Sequence, residues 1–215
     1  MMPDRASAAT PIGLGFRAVR GGGVTVCVAL EAGRPRVVLS SFLATAAEGD
    51  RLSLEPYAVA AEMKPGPDGK ASPDAAAAVA EGRKRQDQLA AQGLADILAK
   101  MRGAGYDPVA AALLVNRAGW ITDLLEYSLF APEHPAVAEG LAVREALRFA
   151  FRDAGVVAAE LDEKSLPERA SETLGLPPAE RDMRLKELGA AVGRPWRKEQ
   201  KLACLAAWIS LAAAR

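Results

Sequence analysis

Apolar residues in the amino-terminal part of the chain come in short, partly alternating runs: IGLGFRAVR at 12–20, GVTVCVALE at 23–31 and RVVLSSFL at 36–43. Runs of that length and period predict strands. Gly21, Gly22 and Gly23 separate the first two, and Gly33–Pro35 precedes the third. Glycine accepts the positive φ of a tight reversal, so the three strands read as an antiparallel meander. The stretch 44–74 is less regular. Residues 53–62 hold a helical turn, and 64–70 (KPGPDGK) has the composition of an exposed loop. From Pro73 the period becomes helical. Leu89, Leu94, Ile97, Leu98 and Met101 share one stripe, Arg83, Lys84, Arg85 and Asp87 are polar, and Gly103 and Gly105 close the helix.

Residues 109–115 (VAAALLV) are apolar on both faces, as a central parallel strand should be. Trp120, Ile121, Leu124, Leu125 and Leu129 mark a short helix. Pro135 opens another, with Val137, Leu141, Leu147 and Phe151 on its core side and Gly155 at its end. Residues 156–161 form a fifth strand. Ser165 and Glu168 have capping-box spacing, and a charged helix covers about 178–191. A last helix runs from about Trp196 to the end. Its wide apolar face predicts burial on several sides or a subunit contact. The order β-β-β-α-β-α-α-β-α-α predicts a mixed five-stranded α/β sheet with helices on both faces and strand order 3-2-1-4-5. Residues 1–11 read as a disordered amino terminus and 12–215 as a single domain.

Composition narrows the function classes. Half of the 215 residues are apolar and a quarter charged, which is a globular profile. Lys plus Arg and Asp plus Glu both number 27. A zero balance argues against a general nucleic-acid coat protein but leaves room for a local basic patch. Cys27 and Cys204 lie far apart in apolar runs, which predicts buried thiols in a reducing compartment. With His134 the only histidine, a zinc site is not on offer. No secretory signal or membrane span is legible, so the expected location is the cytoplasm.

Three stretches resemble the ribonuclease-H-like superfamily, which includes the Holliday-junction resolvases and several predicted nuclease families. Ile12-Gly-Leu-Gly15, followed by Arg17 and Gly21, is similar to its opening Ile-Gly-Ile-Asp strand. The helix from His134 to Arg144 resembles a Glu-Gly…Arg helix of some predicted nuclease-like members. Leu202-Ala-Cys-Leu-Ala-Ala-Trp208 is similar to their final helix. The resemblance implies carboxylates at the ends of the first and fourth strands and on the last helix, holding divalent metals that activate water. The matching positions here are Gly15, Asn116 and Leu202. Gly and Leu cannot ligate a hard cation and Asn replaces a carboxylate poorly. A slip on the last helix brings Glu199, but one acid makes no two-metal site. The expectation is a degenerate ribonuclease-H-like domain, associated with nucleic acid and without metal-dependent nuclease activity, bound metal or other cofactor.

Other residues carry possible chemistry. Arg17, a charge on the expected central strand, suits anion binding at the strand end with Asn116 adding a neutral donor. The alternative is an internal ion pair with Glu139. His134 is a general-base candidate with Glu139, and Arg144 a further ligand candidate. Arg194, Arg197, Lys198 and Lys201 flank Trp196, a pattern compatible with phosphate contacts and base stacking. The glycines near the amino terminus match no phosphate-loop spacing. Two alternatives stand beside the nucleic-acid reading: a non-catalytic interaction protein that forms a homodimer through the carboxy-terminal helix, and a small-molecule enzyme using His134, Glu139 and Arg17.

Overall fold

The computed structural model describes residues 9–116 and 120–214, apart from the side chain of residue 68. Strands β1 (Thr10–Val19), β2 (Gly22–Glu31) and β3 (Arg34–Ala44) form the expected meander. β4 (Tyr106–Val115) and β5 (Ala158–Asp162) complete a sheet of order β3-β2-β1-β4-β5. β1 pairs antiparallel with β2 and parallel with β4, and β4 pairs parallel with β5. β1 begins at Thr10, so Thr10 and Pro11 are strand and not disordered terminus: the Thr10 N–H donates to the Gly105 carbonyl at 2.9 Å. The rest of that expected terminus, residues 1–8, lies outside the described residues.

Strand alternation divides the core in two. Ile12, Leu14 and Phe16 pack with residues of α3 (Pro73–Gly103) and α5 (His134–Asp153). Phe16 meets Phe151 edge to face at 4.9 Å. The opposite face carries Val24, Val26, Val28, Ala112 and Leu114 against α8 (Lys198–Ala213). There β1 offers Gly13 and Gly15, and the helix lies directly on the strand. A Cβ at Gly15 would stand 1.9 Å from the Ala203 carbonyl oxygen, and one at Gly13 would stand 2.3 Å from that of Ala207. Residues 203–209 and Leu211 are buried within the one chain, by the sheet and by α6 (Leu166–Leu174) and α7 (Pro178–Val192). The wide apolar face of α8 therefore needs no second subunit, which removes the homodimer contact expected there. Both cysteines are buried, and burial pushes each thiol up to about 12.

The stretch after β3 is more ordered than its composition predicts. It holds α1 (Arg51–Leu54), α2 (Pro56–Ala61) and a short 3₁₀ turn. Gly82 lets α3 approach Pro56 and the Leu52 carbonyl closely, and buried Gln86 donates to the Ser53 carbonyl at 2.9 Å. Three local expectations fail. Val137 is 41% exposed, on the solvent side of α5. The Ser165 hydroxyl turns to the Asp162 carbonyl and makes no cap bond to α6. α4 (Leu124–Phe130) starts after Trp120 and Ile121, capped by the Asp123 carboxylate. No helix among the described residues is long and apolar enough to cross a membrane.

Candidate functional site at the carboxyl ends of the parallel strands

β1, β4 and β5 point their carboxyl ends the same way, where open α/β sheets place their ligand sites. Arg17 leaves β1 there, on the α8 face. Its guanidinium donates to both oxygens of Glu163, at 3.0 and 3.1 Å, and lies 3.7 Å from Glu199. Glu163 follows β5, and its N–H donates to the Val115 carbonyl at 2.9 Å, so the end of β4 fixes its position. Glu199 stands in the first turn of α8, where the helix dipole favours an acid. Arg17 is thus internally paired, but not with Glu139. Sequence reasoning missed Glu163, which sits in a turn with no motif around it.

The divalent metals that the superfamily resemblance implies do not fit here. Gly15 has no room for any side chain, let alone a carboxylate. Asn116 follows β4 and is exposed, and Leu202 packs against the α8-side core. Glu163 and Glu199 hold a guanidinium between them, and Asp162, at the end of β5, accepts from the Lys164 N–H at 2.9 Å. Among the described residues no group of three or more His, Cys, Asp or Glu side chains could hold a metal ion.

The other face of β1 opens into a cavity of about 860 Å³ between the end of β1, α2 and the α4–α5 corner. Glu139 reaches into its wall from α5. One carboxylate oxygen accepts from the Tyr57 and Ala58 N–H groups at 2.7 and 3.1 Å, while the other is buried without a hydrogen-bond partner. Burial pushes this carboxyl up to about 7, against the two N–H donors that stabilise its charge. Arg144 lines the same cavity, and its Nε is also buried and unpartnered. Burial first, then neighbouring Arg148, holds Arg144 below its ordinary value. Arg148 is paired with Glu145 and Glu160, both at 2.5 Å, but no carboxylate pairs with Arg144 among the described residues. Arg144 also lines an adjoining groove of about 480 Å³ with Asn116, Trp120 and Lys164.

His134 does not join this wall, and neither does Arg17. The imidazole stacks on Tyr127 at 3.9 Å and more loosely on Phe130 at 5.8 Å. Its Nδ1 lies 2.8 Å from the Tyr127 carbonyl, to which it donates. The trio His134, Glu139 and Arg17 is therefore not assembled in one cavity. Trp120 and Phe130 are 71% and 85% exposed; the apolar pattern around them marks a helix and conceals that these rings face solvent.

The basic cluster forms a separate feature. Arg194, Arg197 and Lys201 join Lys186 along a groove of about 670 Å³ between α7 and α8, and Lys198 is exposed beside it. Trp196 is part of the packing there. Its indole N–H donates to the Leu185 carbonyl at 2.9 Å and its ring lies on Gly189, where a Cβ would come within 2.0 Å of it.

Sheet order and crossovers define a ribonuclease-H-like fold. Among solved structures, the chain is similar to RuvC of Thermus thermophilus, with 13% identity, a TM-score of 0.51 and 92% of each chain covered. It is also similar to T. thermophilus RuvC in complex with Holliday junction substrate, with 11% identity, a TM-score of 0.50 and coverage of 92% of this chain and 90% of that one. The likeness is one of fold. No protein-family model and no curated protein matches the sequence.

Proposed function

We propose that this chain is a ribonuclease-H-like domain that binds nucleic acid and does not cleave it by the metal-dependent route. The observation that carries the reading is the closure of the first carboxylate position. The backbone of α8 fills the space beside Gly15, and Arg17 is held by Glu163 and Glu199. A guanidinium clasped by Glu163 and Glu199 leaves neither acid free to organise a hydrated cation. Support for nucleic acid comes from two surfaces. The exposed groove of Lys186, Arg194, Arg197 and Lys201 offers phosphate contacts on a chain of zero net charge. Arg144 and Lys164 offer further cations at the strand ends. The similar RuvC structure with bound Holliday junction makes a branched duplex the first substrate to try.

The test measures binding and cleavage in the same tubes. Fluorescence anisotropy with a four-way junction and a linear duplex should show affinity that falls steeply with salt. Reversing the charge of Arg194, Arg197 and Lys201 together should cost at least roughly tenfold in affinity. Mg²⁺ or Mn²⁺ should produce no cleavage of either DNA. Metal-dependent cleavage that disappears in Glu163→Gln or Glu199→Gln would overturn the non-cleaving reading. Absence of salt-sensitive binding would overturn the nucleic-acid reading.

A further inference from the structure

We infer that the cavity beside Glu139 receives an unpaired nucleobase, whose exocyclic amine donates to Glu139 while its phosphate lies on Arg144. This assignment rests on the nucleic-acid reading above and names the part of a strand that the sheet's crest captures. Two side chains of the cavity wall each hold a buried polar atom without a partner. One is an acceptor, Glu139 Oε2, and the other a donor, Arg144 Nε. Both come from α5, five residues apart, which is about 7.5 Å along the helix axis. A ligand that satisfies both carries a hydrogen-bond donor at one end and an anion at the other. A free amine would leave Arg144 unanswered, and a simple anion would leave Glu139 unanswered. A nucleotide answers both.

The remaining walls suit the body of such a ligand. Leu54, Pro132 and Val143 are apolar, and the exposed ring of Phe130 stands at the rim as a stacking surface. A cavity of about 860 Å³ is ample for a nucleotide. Arg144 belongs both to this cavity and to the groove with Asn116, Trp120 and Lys164, so one phosphate can sit where the two meet. The base enters one side and the strand continues along the other. Unpaired bases are favoured because no pairing has to be broken first. A carboxylate accepts from the N4 amine of cytosine, whereas the O4 of uracil or thymine offers it only another acceptor.

Calorimetric titration with cytidine and uridine monophosphates at pH 8, above the value of about 7 to which burial raises the Glu139 carboxyl, so that it is ionised and only accepts, tests this directly. The wild type should prefer the cytidine nucleotide roughly tenfold or more. Glu139→Gln should reduce that preference to about threefold or less, since its amide can turn to suit either base. Arg144→Gln should weaken both nucleotides equally. Gly140 lines the cavity and has open space where a side chain would begin. Gly140→Leu should therefore abolish both bindings without lowering the melting temperature. Equal affinity for the two nucleotides, or a preference untouched in Glu139→Gln, would overturn the base site. A duplex carrying one unpaired cytosine separates the two levels of the proposal. Tighter binding than to the fully paired duplex supports base capture. Equal, salt-sensitive binding of both duplexes overturns base capture and leaves the nucleic-acid reading standing. Binding of the nucleotide but of neither duplex overturns the nucleic-acid reading and retains a nucleotide site.

Discussion

The two faces of β1 treat charge and space in opposite ways. Towards α8, Gly13 and Gly15 bring strand and helix backbones together, and the charge at the strand's end, Arg17, is clasped by Glu163 and Glu199. Towards α5, the same strand ends at a cavity whose wall contains an acceptor and a donor with no partners, Glu139 Oε2 and Arg144 Nε. Buried polar groups are ordinarily satisfied, because each one left unpaired costs about 1–3 kcal/mol. The closed face carries paired charge and close backbone contact, and the open face a cavity whose wall holds unpaired polar atoms. The fold alone would point to the closed face, because the carboxylates implied by the resemblance to nucleases belong beside Gly15.

The harshest way to break this comparison is to restore the expected acid. Gly15→Asp places a side chain where the Ala203 carbonyl stands at 1.9 Å. Backbone cannot yield as a flexible side chain would, so the variant should lose about 4 kcal/mol or more. Urea denaturation followed by circular dichroism measures it. A variant that stays folded and gains stability from Mg²⁺ would show that the closed face can open into a metal site.

The open face should reveal itself through pH. The Glu139 carboxyl lies at about 7 in the folded chain against an ordinary 4.5, with burial the main cause. Glu55 opposes its charge, while Arg83 and the Tyr57 and Ala58 N–H groups favour it. The folded state therefore holds the proton more tightly than the unfolded one. Its stabilising contribution is complete below about 4.5 and is lost as pH rises through about 7, on the order of 2 kcal/mol after allowance for partial exposure. Glu139→Gln should remove that slope, which comparison of wild-type and variant denaturation curves at pH 5 and pH 8 would measure. Parallel pH profiles would show that Glu139 is not held neutral.

Arg17 sharpens the contrast with a smaller effect. Arg17→Met leaves Glu163 and Glu199 facing each other without their shared cation and should cost about 1–2 kcal/mol. Adding Glu163→Gln should recover part of that loss in a double-mutant cycle. Thermal stabilisation by phosphate should survive Arg17→Met and vanish in Arg144→Gln. The reverse pattern would make Arg17 the anion site and the ion-pair reading wrong.

The sheet was legible in advance because its information is local. The glycine-punctuated runs before residue 44 specify a meander, and the doubly apolar 109–115 reads as a central strand, although Val109 at the start of that run is 46% exposed. The order 3-2-1-4-5 follows from ordinary crossover rules. The absence of carboxylates at Gly15, Asn116 and Leu202 was equally plain. Composition could not show that Gly15 is closed, since that depends on where α8 lies. Nor could it show the partner of Arg17, because Glu163 stands 146 residues away in an unremarkable turn. Glu139 and Arg144 were visible as charges on a helix, but their shared cavity exists only once α2 and the α4–α5 corner close over them. Trp196 shows the converse: a tryptophan among basic residues suggests stacking, whereas its indole is held against Gly189 and the Leu185 carbonyl.

The smallest expected effect concerns Phe130, and it discriminates because it is small. A phenylalanine that is 85% exposed buries little surface, and its ring only loosely overlaps His134 at 5.8 Å. Tyr127, at 3.9 Å, supplies the closer stack that holds the imidazole. Phe130→Ala should therefore change folding stability by no more than about 0.5 kcal/mol, since surface substitutions that break no buried contact fall in that range. A thermal melt of the two proteins measures it. A loss above about 1 kcal/mol would mean that the ring is packed in solution, so that the rim of the cavity is closed and the open face resembles the sealed one. Unchanged stability would leave a large aromatic ring exposed beside a cavity whose wall holds two unpaired polar atoms, as the base site proposed above requires.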